Sequence, residues 1–468
     1  MTKPMRSVSI SRRTFMQTSA ASGLGMLLSL TGCNPLSQQQ QAPLARSPNI
    51  VFIIPDDMGW NDVGYHGSEI KTPHIDKLAR DGIRFQNQYV MPTCTPTRVG
   101  LISGRYPSRY GVTSPAYGEI FDEQTVTLPG ALHQCGYQTF ISGKWHMGSP
   151  PEFTPRKYGF DHSYGYFAGQ IDPYTHHYKN GDPSWHRNDE PLGEEGHATD
   201  RITDEAVRVI KAKHKNPFFL YVAYSVPHYP LAEPEQWTAP YQDRIADPSR
   251  RLFAASVTHM DEGIGRIVDA LDRQGLRQNT LIVFVSDNGG QKSWQSETQY
   301  QGRYADKPHT VLGDNLPLRG WKGDLYEGGI RVPALVNWPS VLAPGETKAL
   351  VHIVDWMPTL CKLAGYRPDQ ETNWDGQNVW SAITTKDNHT ESRTFYWKTP
   401  NAAAVRQGDL KLIVKKKGQT PQLFDLGADP LEETDLGQKR PQDVERLTQL
   451  LNKIARQDRT RQDIKQVL

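Results

Sequence analysis

Three short stretches of this chain carry almost nothing but apolar side chains: Asn49-Ile50-Val51-Phe52-Ile53-Ile54, Phe218-Phe219-Leu220-Tyr221-Val222-Ala223-Tyr224 and Thr280-Leu281-Ile282-Val283-Phe284-Val285. A strand with one wet face alternates polar and apolar residues. These runs do not alternate, so they predict strands covered on both faces, as in an open α/β sheet between two helical layers. Each run ends in a turn that carries chemistry: Pro55-Asp56-Asp57-Met58-Gly59, Ser225-Val226-Pro227-His228 and Ser286-Asp287-Asn288-Gly289-Gly290. Ligands of open α/β sheets gather at the carboxyl ends of the strands. Adjacent carboxylates such as Asp56 and Asp57 repel each other unless a cation sits between them. Asp287 and Asn288 offer two further oxygen ligands at a matching position.

The segments between these runs supply the helices. Thr72 reads as a cap with Pro73 at the first helical position, opening a helix through Arg80. Leu128 to Gly136, Thr199 to Lys213, Leu252 to Leu271 and Val354 to Leu363 are further helices; the fourth of the five carries Val257, Met260, Ile264, Ile267 and Val268 on one stripe. Phe85 to Val90, Gln138 to Ser142 and Val332 to Trp338 are further strands. Asp161 to Asn188 shows no clean period and reads as a loop region rich in aromatic residues and His. The segment 291–318 likewise lacks an apolar period, and loops of that length tend to be functional or mobile.

At 468 residues the chain can bury a large core and form two domains. Lys and Arg number 53 against 51 for Asp and Glu, a net +2, which argues against a nucleic-acid partner. From about residue 385 the texture changes to short strands at Arg393 to Tyr396, Ala402 to Arg406, Lys411 to Val414 and Leu423 to Asp425, followed by a charged helix from Pro441 to Arg456. The Cys residues are Cys33, Cys94, Cys135 and Cys361. Cys135 and Cys361 sit in apolar, helix-like settings and read as buried free thiols, with a disulfide between them as the alternative.

Cys94-Thr95-Pro96-Thr97-Arg98, continuing through Leu101 to Ser103-Gly104-Arg105, resembles the signature of the type I sulfatases. Thr97 stands where that family more often has Ser. In the family the Cys is oxidised to Cα-formylglycine, which hydrates to a geminal diol, and one diol oxygen attacks the sulfur of a sulfate ester. The chain here reads as the start of a helix near Cys94, whose first N–H groups and dipole favour an anion. Pro96 suits a first turn, and Arg98 lies one turn on, where it can hold the diol oxygen.

Gly143-Lys144-Trp145-His146-Met147-Gly148 resembles a second signature of the family. In an extended segment Lys144 and His146 would share one side and face one anion. Leu318 to Pro333 resembles a further run, in which Lys322 matches a sulfate-binding Lys, and the family places a His near His228. Leu423-Phe424-Asp425-Leu426 with Asp429-Pro430 is similar to the small carboxyl-terminal domain of sulfatases.

The likeness covers nearly all of 49–460 and is nearest in texture to the arylsulfatase B-like, N-acetylgalactosamine-4-sulfatase branch. It implies an alkaline-phosphatase-like α/β sandwich over 49–384, with a large, mostly parallel or mixed central sheet, and a small α+β domain over 385–468 with a short antiparallel sheet. It implies metal ligands Asp56, Asp57, Asp287, Asn288 and the oxidised Cys94. That all-oxygen set fits Ca²⁺, or Mg²⁺, rather than zinc. In the implied mechanism Arg98 orients the diol, Asp287 helps take its proton, and Lys144 and Lys322 bind sulfate. His228, with Lys322 as rival, protonates the leaving alcohol, and His146 helps the remaining diol oxygen collapse. A formylglycine-generating maturation enzyme is the implied partner.

The expected substrate is a sulfated carbohydrate such as a carrageenan or glycosaminoglycan fragment, a galactose or N-acetylgalactosamine type sulfated at position 4. Tyr164, Tyr174, His177, Trp185, Trp294, Tyr300, Arg303, Tyr304 and His309 are the candidate sugar contacts. The rival readings are an aryl sulfatase of broad specificity, a phosphodiesterase or phosphonate monoester hydrolase, a non-catalytic binder of sulfated glycans, and a structural lipoprotein.

Residues 1–33 read as a leader. Ser11-Arg12-Arg13-Thr14-Phe15-Met16 resembles a twin-arginine export signal, and Leu30-Thr31-Gly32-Cys33 a bacterial lipobox; a cleaved soluble signal is the alternative. Ala20 to Leu30 is too short to span a bilayer. Residues 34–48 read as a flexible tether. The expectation is export through the twin-arginine machinery and a lipid anchor at Cys33 in the bacterial cell envelope, in the periplasm or outer membrane.

Overall fold

The computed structural model describes residues 47–459 apart from 117, 150–151, 295–299, 301–303, 305–310, 369–371, 386–392 and 416–418. Arg12, Arg13, Cys33, Arg303 and His309 therefore lie outside the described residues.

A ten-stranded sheet forms the centre. From edge to edge it runs Gly345–Thr347 (β11), Ile83–Phe85 (β2), Ala334–Asn337 (β10), Thr280–Val285 (β9), Asn49–Ile54 (β1), Phe218–Ala223 (β8), Gln138–Lys144 (β4), His162–Tyr166 (β5), Trp185–Arg187 (β6) and Glu190–Pro191 (β7). The middle strands β9, β1, β8, β4 and β5 are all parallel. β10 and β6 run against their neighbours, which makes the sheet mixed toward its edges. The three apolar runs are β1, β8 and β9, side by side and fully buried.

The pleat of β1 divides its side chains between two layers. Ile50, Phe52 and Ile54 join the core formed with the helices Cys94–Ser103 (α2), Leu128–Gln134 (α3) and Trp356–Ala364 (α8). Val51 and Ile53 point the other way, into the helices Pro73–Arg80 (α1), Ala198–Lys211 (α4) and Pro248–Arg273 (α6). Short helices Glu235–Thr238 (α5), Glu327–Ile330 (α7) and Trp380–Thr384 (α9) lie in the connections. Val351–His352 (β12) and Gln88–Tyr89 (β3) make a small parallel pair.

Thr394–Lys398 (β13), Ala402–Gln407 (β14), Leu410–Lys415 (β15) and Gln422–Asp425 (β16) form an antiparallel meander, followed by the helix Pro441–Ala455 (α10). Tyr396, Val405, Leu412 and Leu447 from this region continue the core that includes α2 and α8.

The segment 161–188 is not a loop, because β5 and β6 within it extend the large sheet. Gly165 and the His residues interrupt its apolar pattern, which hides the strands from a periodicity reading. Phe85 to Val90 is not one strand either; it breaks at Gln86-Asn87 into β2 and β3 in different sheets. Thr72 precedes α1, but its hydroxyl donates to Asp76 and accepts from the Gly64 N–H instead of capping the helix backbone. Cys135 and Cys361 are free thiols, Cys361 buried and Cys135 only half-buried.

Candidate active site

The carboxyl edge of the parallel strands holds the candidate residues. β1 ends at Pro55 and delivers Asp56 and Asp57, both buried. Asp57 takes a left-handed φ of 72°, and its N–H donates to Asp287 Oδ1 at 3.1 Å. β9 delivers Asp287 and Asn288 beside them, and Asn288 Nδ2 donates to Asp57 Oδ1 at 2.8 Å. Gly289 follows because nothing larger fits: a Cβ there would stand 1.8 Å from the Gly328 carbonyl oxygen.

Cys94 is the first residue of α2, so the unsatisfied N–H groups of the first turn open toward the same edge. The Thr97 hydroxyl donates to the Met91 carbonyl and accepts from the Met91 N–H, fixing the entry to the helix. Ser and Thr share that hydroxyl, which accounts for Thr at this position. Arg98 is fully buried; it donates to Asp287 Oδ2 at 2.9 Å and to the Lys144 carbonyl at 3.2 Å. Thus Arg98 touches a carboxylate of the cluster and the backbone of β4.

Lys144, the last residue of β4, lies against Asp56 Oδ2 at 2.5 Å. Lys322 reaches Asp57 at 2.7 Å. His228, just past β8, donates through Nδ1 to the Tyr229 carbonyl and sets Nε2 3.8 Å from Asp57 Oδ2. His146 reaches the site by another route than simple alternation along a strand. Its φ of 57° breaks the extended path after β4, and its ring lies over Gly169, where a Cβ would come 2.5 Å from Nε2. All the candidates from Asp56 to Lys322 thus meet at one place, and Cys94, His146, His228 and Lys322 line one cleft of about 440 Å³.

Burial sets the electrostatics. It raises Asp287 to about 7, reinforced by Asp56. Burial acts on Asp57 in the same direction, but Lys322 and His228 beside it overcome this and hold it at about 2. His228 is driven down to about 3 by burial and by Lys322. Burial and the Lys144 charge push His146 well below the usual imidazole range. The Cys94 thiol is raised by burial, so the unmodified sulfur is neutral and a poor nucleophile.

The residues present fit a divalent cation. Three buried carboxylates and an amide converge, and the buried Asp56 Oδ1 and Asn288 Oδ1 accept no hydrogen bond among the described residues. Such oxygens are acceptors awaiting a hard cation. His197, Glu233 and His259 also cluster. There, however, His197 Nδ1 accepts from the Thr199 N–H, so Nε2 carries the proton, 3.1 Å from the Ala232 carbonyl. His259 lies between Glu233 and Asp200. That arrangement holds a proton, not a metal.

The sulfatase family model matches residues 48–366. The chain belongs to the sulfatase family. It is 33% identical to mouse arylsulfatase J over 86% of this chain and 75% of that one. With the N-acetylgalactosamine-6-O-sulfatase of Bacteroides thetaiotaomicron it shares 28% identity over 91% of this chain and 96% of the relative. The solved structure of Ps i-CgsB in complex with k-i-k-neocarrahexaose superposes with a TM-score of 0.79 at 30% identity, covering 88% of this chain and 94% of that one. This sulfatase is a sulfate ester hydrolase with the alkaline-phosphatase-like α/β fold of its structural neighbours.

Several aromatic residues expected to meet substrate belong instead to the sulfatase's core. Tyr164 and Trp185 are each 2% exposed, and Tyr300 and Tyr304 are buried. Tyr166 and His176 stack on Trp185. Tyr164 on β5 and Trp185 on β6 face the interior, so aromatic faces that looked available for sugar serve packing. The cleft wall carries instead Tyr178, one of the aromatic residues of the segment 161–188, with Gln170, Tyr229, Gln291, Lys292 and Trp321, which the sequence pattern does not pick out as substrate contacts. Position alone could have flagged Tyr229 and Trp321, which adjoin His228 and Lys322.

Proposed function

We propose that this sulfatase hydrolyses sulfate esters of carbohydrates, with Cys94 converted to formylglycine by a maturation enzyme. The observation that carries the reading is the meeting, at one sheet edge, of a neutral buried thiol at a helix N-terminus, four oxygen-donor side chains and the cations Arg98, Lys144 and Lys322. Asp56, Asp57, Asp287, Asn288 and residue 94 would hold a divalent cation, Ca²⁺ or Mg²⁺ in place of zinc because every donor is a hard oxygen, with Ca²⁺ first as the family resemblance implies. The cation supplies charge that counters the substrate's sulfate, and the hydrated aldehyde supplies a hydroxyl nucleophile toward sulfur.

The chain's own residues do the rest. Lys144 and Lys322 bind sulfate oxygens, and Arg98 orients residue 94 from one turn further along α2. Asp287 receives the nucleophile's proton. His228, with Lys322 as rival, returns a proton to the departing sugar oxygen. The negative charge of bound sulfate offsets the burial and the Lys322 charge that keep this imidazole neutral in the free site, so that Nε2 carries that proton, and the Tyr229 carbonyl fixes the ring with Nε2 facing the reaction. His146 takes the proton from the remaining hydroxyl as sulfate leaves. Most of the acceleration comes from preorganised positive charge.

The carbohydrate class is supported by relatives named for N-acetylgalactosamine sulfates and by the neocarrahexaose held by the structural neighbour. A galactose or N-acetylgalactosamine sugar is the proposed residue. Its 4-sulfate, suggested by the arylsulfatase B-like texture, is the first position to assay, and the 6-sulfate for which relatives are named is the second. The test compares sulfated galactosaminides and carrageenan oligosaccharides with a small aryl sulfate and an aryl phosphate. A higher kcat/KM on the aryl sulfate than on every sugar sinks the carbohydrate reading and leaves the sulfatase intact. Peptide mass spectrometry of active enzyme should show an aldehyde at residue 94; an active preparation retaining the thiol throughout refutes the formylglycine.

The leader motifs support export by the twin-arginine route and a lipid anchor at Cys33. Cys33→Ala should release the enzyme from membranes, and Arg12→Lys with Arg13→Lys should retain it in the cytoplasm. Unchanged fractionation of both variants overturns that placement.

A further inference from the structure

The active-site cleft does not end at Lys322. A second cleft of about 440 Å³ opens beside it, and Thr93 and Gly323 line both. Gly323 has no side chain to divide them, and a Cβ built there would meet nothing within 4 Å. The far wall of the second cleft is the carboxyl-terminal sheet: the turn from β13 to β14, with Pro400 and Asn401, and the end of β15 at Lys415.

We infer that the second cleft binds the sugars next to the one that loses its sulfate. The enzyme therefore prefers a sulfated sugar joined to neighbours in an anionic oligosaccharide over the free monosaccharide. This rests on the carbohydrate reading above. The lining suits a sugar chain. Tyr326 and Pro400 offer apolar surface, and Thr113, Ser114 and Asn401 offer hydrogen-bonding groups. Alternating apolar and hydroxyl surface is what a pyranose presents, and the volume is in the usual range for a ligand site of about 300–1,000 Å³.

The charge also matches. Lys415 is exposed; its Nζ sits 5.1 Å over the Tyr326 ring and 3.1 Å from the Tyr326 hydroxyl. Lys179 and Lys292, both exposed, stand on the rim of the first cleft. None of the three pairs with a carboxylate among the described residues. The one acid in the second wall, Asp324, accepts from the Trp321 N–H at 2.9 Å and keeps its charge, so the positive surplus comes from Lys415 together with Lys179 and Lys292. Cations thus stand on both clefts and suit a chain bearing further sulfates.

The experiment compares a sulfated monosaccharide with a hexasaccharide of the same repeat, in wild type, Lys415→Ala and Asn401→Trp. Both positions are exposed, and Asn401 has no left-handed backbone to strain, so folding should be retained. Wild type should prefer the hexasaccharide. Lys415→Ala should lose about tenfold of that preference, mainly in KM, the size of one lost charge-assisted contact, and Asn401→Trp should lower it at least as far by filling the cleft. Turnover of the monosaccharide should not change. An oligosaccharide preference equal in all three enzymes overturns the second cleft while leaving the carbohydrate reading standing. Turnover of an aryl sulfate but of no sulfated sugar overturns both.

Discussion

His228 shows how backbone geometry assigns work to a single side chain. Its Nδ1 is engaged by the Tyr229 carbonyl, which leaves only Nε2 to face the reacting groups, 3.8 Å from Asp57. If His228 is the proton donor to the leaving group, its value depends on how poor that group is. We expect His228→Ala to lose about 10²–10⁴-fold in kcat on a sugar sulfate, whose alkoxide needs a proton, and far less on a nitrophenyl sulfate. Equal losses on both substrates would transfer the acid role to Lys322. Residue 97 shows the complementary case. A departure from the usual Ser keeps the hydroxyl that ties α2 to Met91, so the structure tolerates it.

Elements are locked together by a proton on the far side of the large sheet from α2. His259 of α6 sits between Asp200 of α4 and Glu233, which lies in the connection that also carries His228. His197 and Arg266 border the same group. Burial alone would lower His259, but its bonds to Asp200 and Glu233 overcome this and raise it from 6.5 to about 9. A raised imidazole stabilises the fold fully below its unfolded value near 6.5 and loses that contribution as pH rises through about 9. Asp200 is partly exposed, so solvent reduces the effect to on the order of 1–2 kcal/mol. Wild type should exceed His259→Gln in urea stability most at about pH 6 and below, and the gap should narrow as pH rises from about 6.5 through about 9. A gap that stays constant with pH would show that His259 acts through packing alone.

At the scale of the whole molecule, the carboxyl-terminal sheet is bound to the catalytic body by buried charge. Lys411 on β15 lies 2.8 Å from Glu327, the first residue of α7, and 2.8 Å from Glu432, with all three side chains at 0% or near it in exposure. Glu432 in turn accepts from the Glu327 N–H at 2.7 Å, and Tyr89 donates to Glu327 at 2.6 Å. The same stretch of chain carries Lys322 five residues earlier. Lys411→Met would leave Glu432 with no cation among the described residues and Glu327 with only Arg331 at 3.7 Å, a loss on the order of 3–5 kcal/mol. The expected result is a clear fall in Tm together with lower kcat. Adding Glu327→Gln and Glu432→Gln to Lys411→Met should recover much of the Tm, since the stranded charge is then gone. A single variant as stable as wild type would remove this network from the account of how the sheet is held.

The sequence by itself determined the interior strands and what stands at their ends. Runs such as Ile50 to Ile54 and Leu281 to Val285 are buried on both faces, and no other placement satisfies so many adjacent apolar residues. With those strands parallel, Asp56, Asp57, Asp287 and Asn288 had to share one edge, and the compact run at Cys94 declared the helix that faces them. Tertiary structure alone decided the rest. Whether Trp185 or Tyr164 meets solvent depends on which strands cover it, and the strands in 161–188 were masked by Gly and His. The left-handed turn at His146 is set by its fit over Gly169, a contact between segments that local pattern does not encode. The cleft beside Gly323 exists because a sheet more than seventy residues further along the chain packs against it. Periodicity reports how a residue relates to its own strand or helix; which distant surface closes over it is decided only when the layers assemble.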